Sequence, residues 1–176
     1  DQAQAELKKI FNGRFSTSES TRANYARGED TYDPVLSKAV VFPETNEEVS
    51  KILTLCNKHK IPVVPFGTGT SLEGNVVGND KGITISLEKM NKILSVNALD
   101  FDCRVQACVT KEQLNEYLRE DGVFFPIDPG ANAAIGGMAS TSASGTMAVK
   151  YGTMKTVITG LTVVLPNGDI INTGSR

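Results

Sequence analysis

The 176-residue sequence lacks several features that would direct it to particular classes of protein. Its three cysteines are an odd number without a CxxC spacing, so the sequence predicts neither a disulfide framework nor a zinc site. No apolar run reaches the roughly 18 residues that a membrane-spanning helix needs. The net charge of −2 gives no electrostatic indication of nucleic acid or of an anionic membrane as a partner.

Targeting signals are also missing from the start of the sequence. No signal peptide or transit segment is visible there, and the first residue is not Met. We expect Cys56, Cys103 and Cys108 to be reduced thiols in the core or in strands. These observations predict a location in the cytoplasm or at the cytoplasmic face of a membrane, with a processed mitochondrial protein as the alternative.

Glycine is abundant, with 16 residues, and it is unevenly distributed. One cluster contains Gly67, Gly69 and Gly74, and the other contains Gly130, Gly136, Gly137, Gly145 and Gly152. Concentrated glycine indicates that the backbone turns sharply or approaches another group closely at two places.

The segments before the first cluster predict a βαβ unit. Residues 3–12 have the pattern of an amphipathic helix, residues 13–37 are polar and irregular, and residues 39–42 form a short strand. Thr45 and Glu48 have the spacing of a capping box, so we expect a helix that leads to a strand at 61–66. Strand, helix and strand in this order are typical of a right-handed βαβ unit.

The segments after the first cluster predict a mixed or antiparallel sheet with flanking helices. Strands are expected at 83–87, 93–97 and 102–109, and Thr110 with Gln113 caps a helix that ends at Gly122. A hairpin is expected around residues 166–168. The fold class is therefore α+β, a small βαβ subdomain followed by a larger mixed sheet. We expect a lead-in at 1–38, a first subdomain at 39–80 and a second at 81–176.

The first glycine cluster is typical of an anion site. It follows a strand, its successive backbone N–H groups can form a concave donor site, and Thr68, Thr70 and Ser71 add hydroxyl groups. A Rossmann loop would need a third glycine where Leu72 stands. A Walker A loop would need the lysine and hydroxyl residue that Asn75 and Val76 replace. Both motifs are therefore rejected.

The second glycine cluster, residues 128–146, consists mostly of small, uncharged side chains. Between Ala131 and Thr146 only Ile135 and Met138 carry large apolar groups. We infer that the segment cannot supply a core face and that it allows a flat ligand to lie against its backbone.

These stretches carry a resemblance to a known family. Residues 41–49, 65–75, 128–152 and 160–168 resemble the vanillyl-alcohol oxidase superfamily of FAD-linked oxidases, which has the PCMH-type FAD-binding domain. The D-lactate dehydrogenase and glycolate oxidase flavin-subunit branch is the most similar. The resemblance covers residues 39–174.

The resemblance implies an extended FAD between two α+β subdomains, the first loop at the diphosphate and the second segment at the isoalloxazine and ribityl chain. The implied reaction oxidises a D-2-hydroxy acid to a 2-oxo acid, and a cytochrome or quinone reoxidises the flavin. Because residues 67–74 and 129–152 contain no His or Cys, we expect the FAD to be non-covalent. The implied cofactor-binding residues are Pro65, Phe66, Gly67, Thr68, Gly69, Thr70, Ser71, Gly74, Asn75, Pro129, Gly130, Ala131, Ile135, Gly136, Gly137, Ala139, Ser140, Ser142, Gly145, Thr146, Tyr151 and Gly152.

Catalytic groups are not expected in this chain. The family continues beyond residue 176 with the substrate-binding cap, its catalytic bases and any metal-binding histidines, so this polypeptide alone is expected to bind FAD weakly or not at all. His59 is expected to be a solvated helix-end residue, and Asp128 a turn residue without an obvious partner. Arg104 and Arg119 are expected at the surface.

Three other interpretations remain open from the sequence. Alkyl-glycerone-phosphate synthase uses the same flavin fold as a transferase, and its histidines and cap would differ downstream. UDP-N-acetylenolpyruvoylglucosamine reductase shares the fold, with a poorer resemblance in the second segment. The third is a non-catalytic flavin-binding module.

Overall fold

The computed structural model describes residues 2–175, which form two compact units. The first unit contains residues 2–89 and Gly160–Ser175, and the second contains Met90–Thr159. The α-helices are α1 (Gln2–Ile10), α2 (Glu19–Asn24), α3 (Asn46–Lys58), α4 (Lys111–Leu118), α5 (Ile135–Ser140), α6 (Ala148–Tyr151) and α7 (Met154–Val157). The strands are β1 (Phe15–Ser16), β2 (Ala39–Val41), β3 (Val63–Phe66), β4 (Ile83–Ser86), β5 (Ile93–Asn97), β6 (Asp102–Val105), β7 (Gly160–Val164) and β8 (Ile170–Gly174). A 3-10 turn at Arg119–Asp121 follows α4.

The first unit is built on a four-stranded sheet with the order β1-β2-β4-β3. Strands β2 and β3 both pair in parallel with β4, so the predicted βαβ unit is present with β4 between its two strands. The sequence placed the 83–87 strand in the second subdomain, and that placement is wrong. All four residues of β4 are buried, and both of its edges are paired. The unit boundary accordingly lies after Lys89 rather than near residue 80.

Helix α3 begins where the sequence predicts. Thr45 is its N-cap residue and accepts a hydrogen bond from the Glu48 N–H at 3.2 Å. The reciprocal half of the capping box differs, because the Glu48 carboxylate accepts from the Glu44 N–H at 2.7 Å and binds Arg14. Ile52, Leu55 and Cys56 are buried against the sheet, where each large apolar side chain stabilises the fold by roughly 1.5–3 kcal/mol.

The predicted hairpin around residues 166–168 is confirmed as β7 and β8. It lies against α3, since the Ser50 hydroxyl donates to the Gly168 carbonyl at 2.5 Å. Gly168 has a φ of +95°, a conformation that residues other than glycine rarely adopt.

The lead-in contains more structure than the sequence predicts. Residues 13–37 include β1 and α2, which begins at the Ser18 N-cap. Leu7 and Phe11 of the first amphipathic segment are buried as expected, whereas Ile10 is half exposed.

The second unit contains the predicted antiparallel pair β5–β6 and the helix α4. Thr110 caps α4 by accepting from the Gln113 N–H, and Gly122 ends the following turn with a φ of +68°. Leu114 and Leu118 lie in a core cluster with Val109.

Short helices occupy much of the second glycine-rich segment. Met138 of α5 is buried with Ile127, Ala133 and Met154, so the inference that this segment cannot supply a core face is wrong. Its small residues allow the backbone to pack closely, and the two methionines fill the space that remains.

Candidate functional site

The first loop, residues 65–75, leaves the end of β3. Gly69 and Gly74 have φ angles of +74° and +71°, in the left-handed region that favours glycine. Gly69 is buried, and a Cβ there would lie 2.8 Å from the Phe66 ring. The backbone of this loop therefore requires glycine at both positions.

The donors in the first loop suit an anion. Within residues 2–175, the N–H groups of Gly69, Thr70 and Ser71 make no hydrogen bond to a protein acceptor. The Thr68 and Thr70 hydroxyls lie 3.4 Å apart, and the Asn75 amide donates to the Ser71 hydroxyl at 3.0 Å. Successive amide donors with neighbouring hydroxyls are groups that can bind an anion.

Two of the predicted loop residues lie at the end of β3 itself. The Phe66 side chain is buried and packs edge-on against Tyr25, with ring centroids 5.1 Å apart. Pro65 is exposed. The Phe66 ring thus packs against Gly69, and the Phe66 carbonyl accepts from the Leu87 N–H at 2.9 Å.

In the second segment, Asp128 accepts three hydrogen bonds. Its carboxylate accepts from the Lys111 ammonium at 2.9 Å and from the Gly130 N–H at 3.1 Å, and its carbonyl accepts from the Thr146 N–H at 3.3 Å. The hydrogen bond from Lys111, with that from Gly130, lowers the pKa of Asp128. The prediction that Asp128 lacks an obvious partner is wrong, because Lys111 reaches it from the first turn of α4.

The glycines of the second segment differ in what surrounds them. A Cβ at Gly136 would lie 2.7 Å from the Ala107 Cβ, and one at Gly145 would collide with the Asp128 carbonyl. Gly152 has a φ of +81° and lies against Thr156. Gly130 also needs glycine, for its φ of +92°. Gly137 is exposed, its φ is not in the left-handed region, and nothing in the described chain lies within 4 Å of a Cβ there. Of these five, Gly137 alone has no packing or backbone reason to be glycine, which fits a position where a ligand approaches.

Helix α5 ends in a Schellman motif. The Ala143 N–H donates to the Met138 carbonyl and the Ser142 N–H donates to the Ala139 carbonyl. Ser142 occupies the position that usually holds glycine and has a φ of +50°. A serine there costs about 1 kcal/mol relative to glycine.

The remaining predicted residues divide between packing and exposure. Ile135 and Ala139 pack against core clusters. The Ser140 hydroxyl donates to the Gly136 carbonyl at 2.9 Å. Tyr151 packs edge-on against Phe124 at 5.5 Å, with the Lys150 ammonium 4.8 Å from its ring centroid. Pro129 and Thr146 are exposed, and Ala131 is half-buried.

Four residues that support these segments were not predicted from the sequence. They are Lys111, which binds Asp128; Gly28 and Tyr32, which lie against the first loop; and Asp30, which binds both of those. The Gly28-Glu29-Asp30 run is a turn signal, but nothing in the sequence indicates which segment that turn contacts.

The titratable residues singled out in the sequence lie at a helix end or at the surface. His59 is the C-cap residue of α3, as predicted, and Arg104 and Arg119 are exposed. Residues 2–175 contain no cluster of three or more His, Cys, Asp or Glu side chains that could bind a metal ion. Among the helices of residues 2–175, none has the length and hydrophobicity of a membrane span.

Comparisons with known proteins agree with this geometry. The FAD binding domain family matches residues 37–174. The chain is 41% identical to the mitochondrial D-lactate dehydrogenase (cytochrome) of Arabidopsis thaliana over 174 residues, which cover 98% of this chain and 31% of that protein. It is 33% identical to glycolate oxidase subunit GlcD of Bacillus subtilis, over 92% of this chain and 35% of that protein.

The fold is also shared with solved structures. An alkyldihydroxyacetonephosphate synthase superposes with a TM-score of 0.87 at 22% identity, over 99% of this chain and 35% of that one. The chain spans about a third of the length of the relatives that it matches. The predicted α+β, PCMH-type fold is confirmed. The chain belongs to the FAD-binding domain family, and FAD is its cofactor.

Proposed function

We propose that this chain is the FAD-binding part of a flavin-dependent dehydrogenase that oxidises a D-2-hydroxy acid, of the D-lactate or glycolate type, to a 2-oxo acid. The observation that carries the proposal is the 41% identity to a D-lactate dehydrogenase over 98% of the chain. The glycolate oxidase subunit, at 33% identity, keeps glycolate as a second candidate substrate. Similarity to the synthase structure, at 22% identity, concerns the fold alone and gives no comparable support to a transferase.

The first loop is proposed to bind the FAD diphosphate. The N–H groups of Gly69, Thr70 and Ser71 supply donors that no protein acceptor within residues 2–175 occupies. Loop residues before Glu73 carry no carboxylate. Multiple backbone donors bind a diphosphate in an orientation that a single lysine could not fix.

The second segment is proposed to contact the isoalloxazine and ribityl chain. Exposed Gly137 leaves room for a flat ring against the backbone of α5, and Ser142 offers a hydroxyl at the end of that helix. Bound FAD would accept a hydride from the substrate α-carbon. The role proposed for these residues is to bind and orient the cofactor.

We also propose that the cofactor is non-covalent, because residues 67–74 and 129–152 contain no His or Cys to attach it. Acid precipitation of the natural protein should leave the flavin in the supernatant. Flavin that remains in the pellet would contradict this part of the proposal.

The reaction is tested by anaerobic reduction of the full-length natural protein with D-lactate, L-lactate and glycolate. D-lactate should bleach the visible flavin band, and L-lactate should leave it unchanged. Bleaching by glycolate alone would assign the glycolate type. A flavin that no 2-hydroxy acid reduces would contradict the proposed dehydrogenase.

The electron acceptor and the location are parts of the same proposal. We propose a cytochrome or a quinone as acceptor, to be distinguished by the rate at which each is reduced in the presence of substrate. Two of the relatives are named as mitochondrial, so the mitochondrion is the first location to test by cell fractionation. The cytoplasm is the alternative.

A further inference from the structure

A short segment of the lead-in lies directly against the first loop. This segment, residues 26–35 and here called the strap, precedes the part of the chain that matches the FAD-binding family, residues 37–174. It contacts two of the loop's glycines, Gly69 and Gly74.

The strap meets Gly69 through its own glycine. The Glu29 N–H donates to the Gly69 carbonyl at 2.9 Å. A Cβ on Gly28 would lie 2.8 Å from the Val76 side chain and would collide with the Gly69 carbonyl oxygen. With the Phe66 ring on the side where a Gly69 Cβ would lie, these contacts fix Gly69 in its left-handed conformation. The amides that follow Gly69 are the proposed diphosphate donors.

A second contact fixes the far end of the loop. A Cβ on Gly74 would lie 2.7 Å from two carbons of the Tyr32 ring, so the ring covers the glycine closely. The Ala26 carbonyl accepts from the Gly78 N–H at 2.9 Å and from the Val35 N–H at 3.2 Å. The strap therefore contacts the first loop at Gly69 and Gly74, and it is hydrogen-bonded to Gly78, just beyond the end of the loop.

One buried carboxylate holds the strap in shape. Asp30 is 7% exposed. Its two oxygens accept from the Gly28 N–H at 3.1 Å and the Tyr32 N–H at 3.0 Å. These bonds place Gly28 against Gly69 and Tyr32 against Gly74 at the same time. Asp33, three residues on, is exposed.

We propose that the strap is a positioning element of the diphosphate site, with Asp30 as the residue that sets its shape. The inference rests on the proposed function, because it assigns the first loop to the cofactor diphosphate. Asp30 acts through Gly28 and Tyr32 on the loop and is a positioning residue.

The test compares Asp30→Asn with Asp33→Asn in the full-length natural protein. Both variants lose one negative charge from the strap, and by Coulomb's law alone both would bind an anion slightly better. If Asp30 shapes the strap, Asp30→Asn should instead weaken binding. The asparagine side chain has only one acceptor oxygen, so its NH2 group would face one of the two backbone N–H groups that Asp30 accepts from. Affinity for FAD and for ADP should fall by at least about tenfold in Asp30→Asn and should not fall in Asp33→Asn.

Riboflavin, which lacks the diphosphate, separates this effect from general loss of structure. Its affinity should be the same in Asp30→Asn and in the parent protein. Equal loss of riboflavin and FAD would overturn the proposal, as would unchanged FAD affinity in Asp30→Asn. Failure of the parent protein to bind FAD at all would instead reject the proposed function.

A measurement on the parent protein covers the case in which Asp30→Asn does not fold. Hydrogen exchange of the Glu29 amide should slow when ADP binds, because ADP stabilises the loop whose Gly69 carbonyl accepts from that amide. Unchanged exchange of Glu29 at saturating ADP would overturn the proposal.

Discussion

Replacing Gly137 with alanine separates the contribution of this residue to the helix from its contribution to the cofactor. Gly137 lies inside α5, and a Cβ there would meet nothing within 4 Å in the described chain. Because glycine is less favourable than alanine in a helix by roughly 0.8–1 kcal/mol, Gly137→Ala should raise the free energy of unfolding of the apoprotein by up to about 1 kcal/mol. A ligand that lies against this backbone would lose contact with it, so the affinity for FAD should fall by about tenfold or more.

The neighbouring glycine supplies a matched control. A Cβ on Gly136 would lie 2.7 Å from the Ala107 Cβ and 2.9 Å from its carbonyl oxygen. Gly136→Ala should therefore destabilise the apoprotein by about 1–3 kcal/mol through overpacking. The same chemical change at adjacent positions thus has opposite effects on apoprotein stability.

The assay pairs thermal unfolding of the apoproteins with titration of FAD into each one, followed by quenching of flavin fluorescence. The reasoning about the second segment is refuted if Gly137→Ala is more stable and binds FAD as tightly as the parent protein. A less stable Gly137→Ala apoprotein would refute the claim that the position is open.

Three further predictions concern other contacts. Ser142→Gly should stabilise the apoprotein by about 1 kcal/mol, because glycine adopts a φ of +50° without strain. The same change should weaken FAD binding, and an unchanged FAD affinity would show that the Ser142 hydroxyl does not contact the cofactor. Lys111→Met removes the ammonium group that donates to Asp128, so its FAD affinity should fall. Lys111→Arg, which keeps a cation, should largely restore the affinity. Equal FAD affinity of the parent protein and both variants would show that the ion pair does not position the second segment. Glu48→Gln should cost about 1–2 kcal/mol of stability, because both Glu48 oxygens accept from Arg14 at 2.6 Å. Arg14 lowers the pKa of Glu48 from 4.5, so this stability difference should be full above about pH 5 and shrink as the pH falls below 4.5; a difference that persists in denaturant unfolding at acid pH would contradict the ion pair.

Local sequence patterns predicted the regular part of the first unit. The Thr45 cap, the apolar periodicity of α3 and the Pro166-Asn167-Gly168 turn each depend on neighbours in sequence, and each is present in the structure. The same patterns could not place the strand at residues 83–86. Apolar residues identify a buried strand but do not identify its partners, and here the partners are β2 and β3.

The strap and the second segment depend on contacts between residues distant in sequence. Gly28 and Gly69 are 41 positions apart, and only the folded backbone shows that the Gly69 carbonyl excludes a side chain on Gly28. Helix α5 has the sequence IGGMAS, which has weak helix propensity. Tertiary contacts favour the helix, because the Gly136 N–H donates to the Ala107 carbonyl and Met138 is buried in the core.

A crystal structure of the full-length natural protein grown with FAD tests the central claim most directly. The account predicts diphosphate oxygens within hydrogen-bond distance of the N–H groups of Gly69, Thr70 and Ser71, and the flavin ring system in contact with the Gly137 backbone. A diphosphate bound away from residues 67–75, with those three N–H groups hydrogen-bonded to solvent alone, would contradict it.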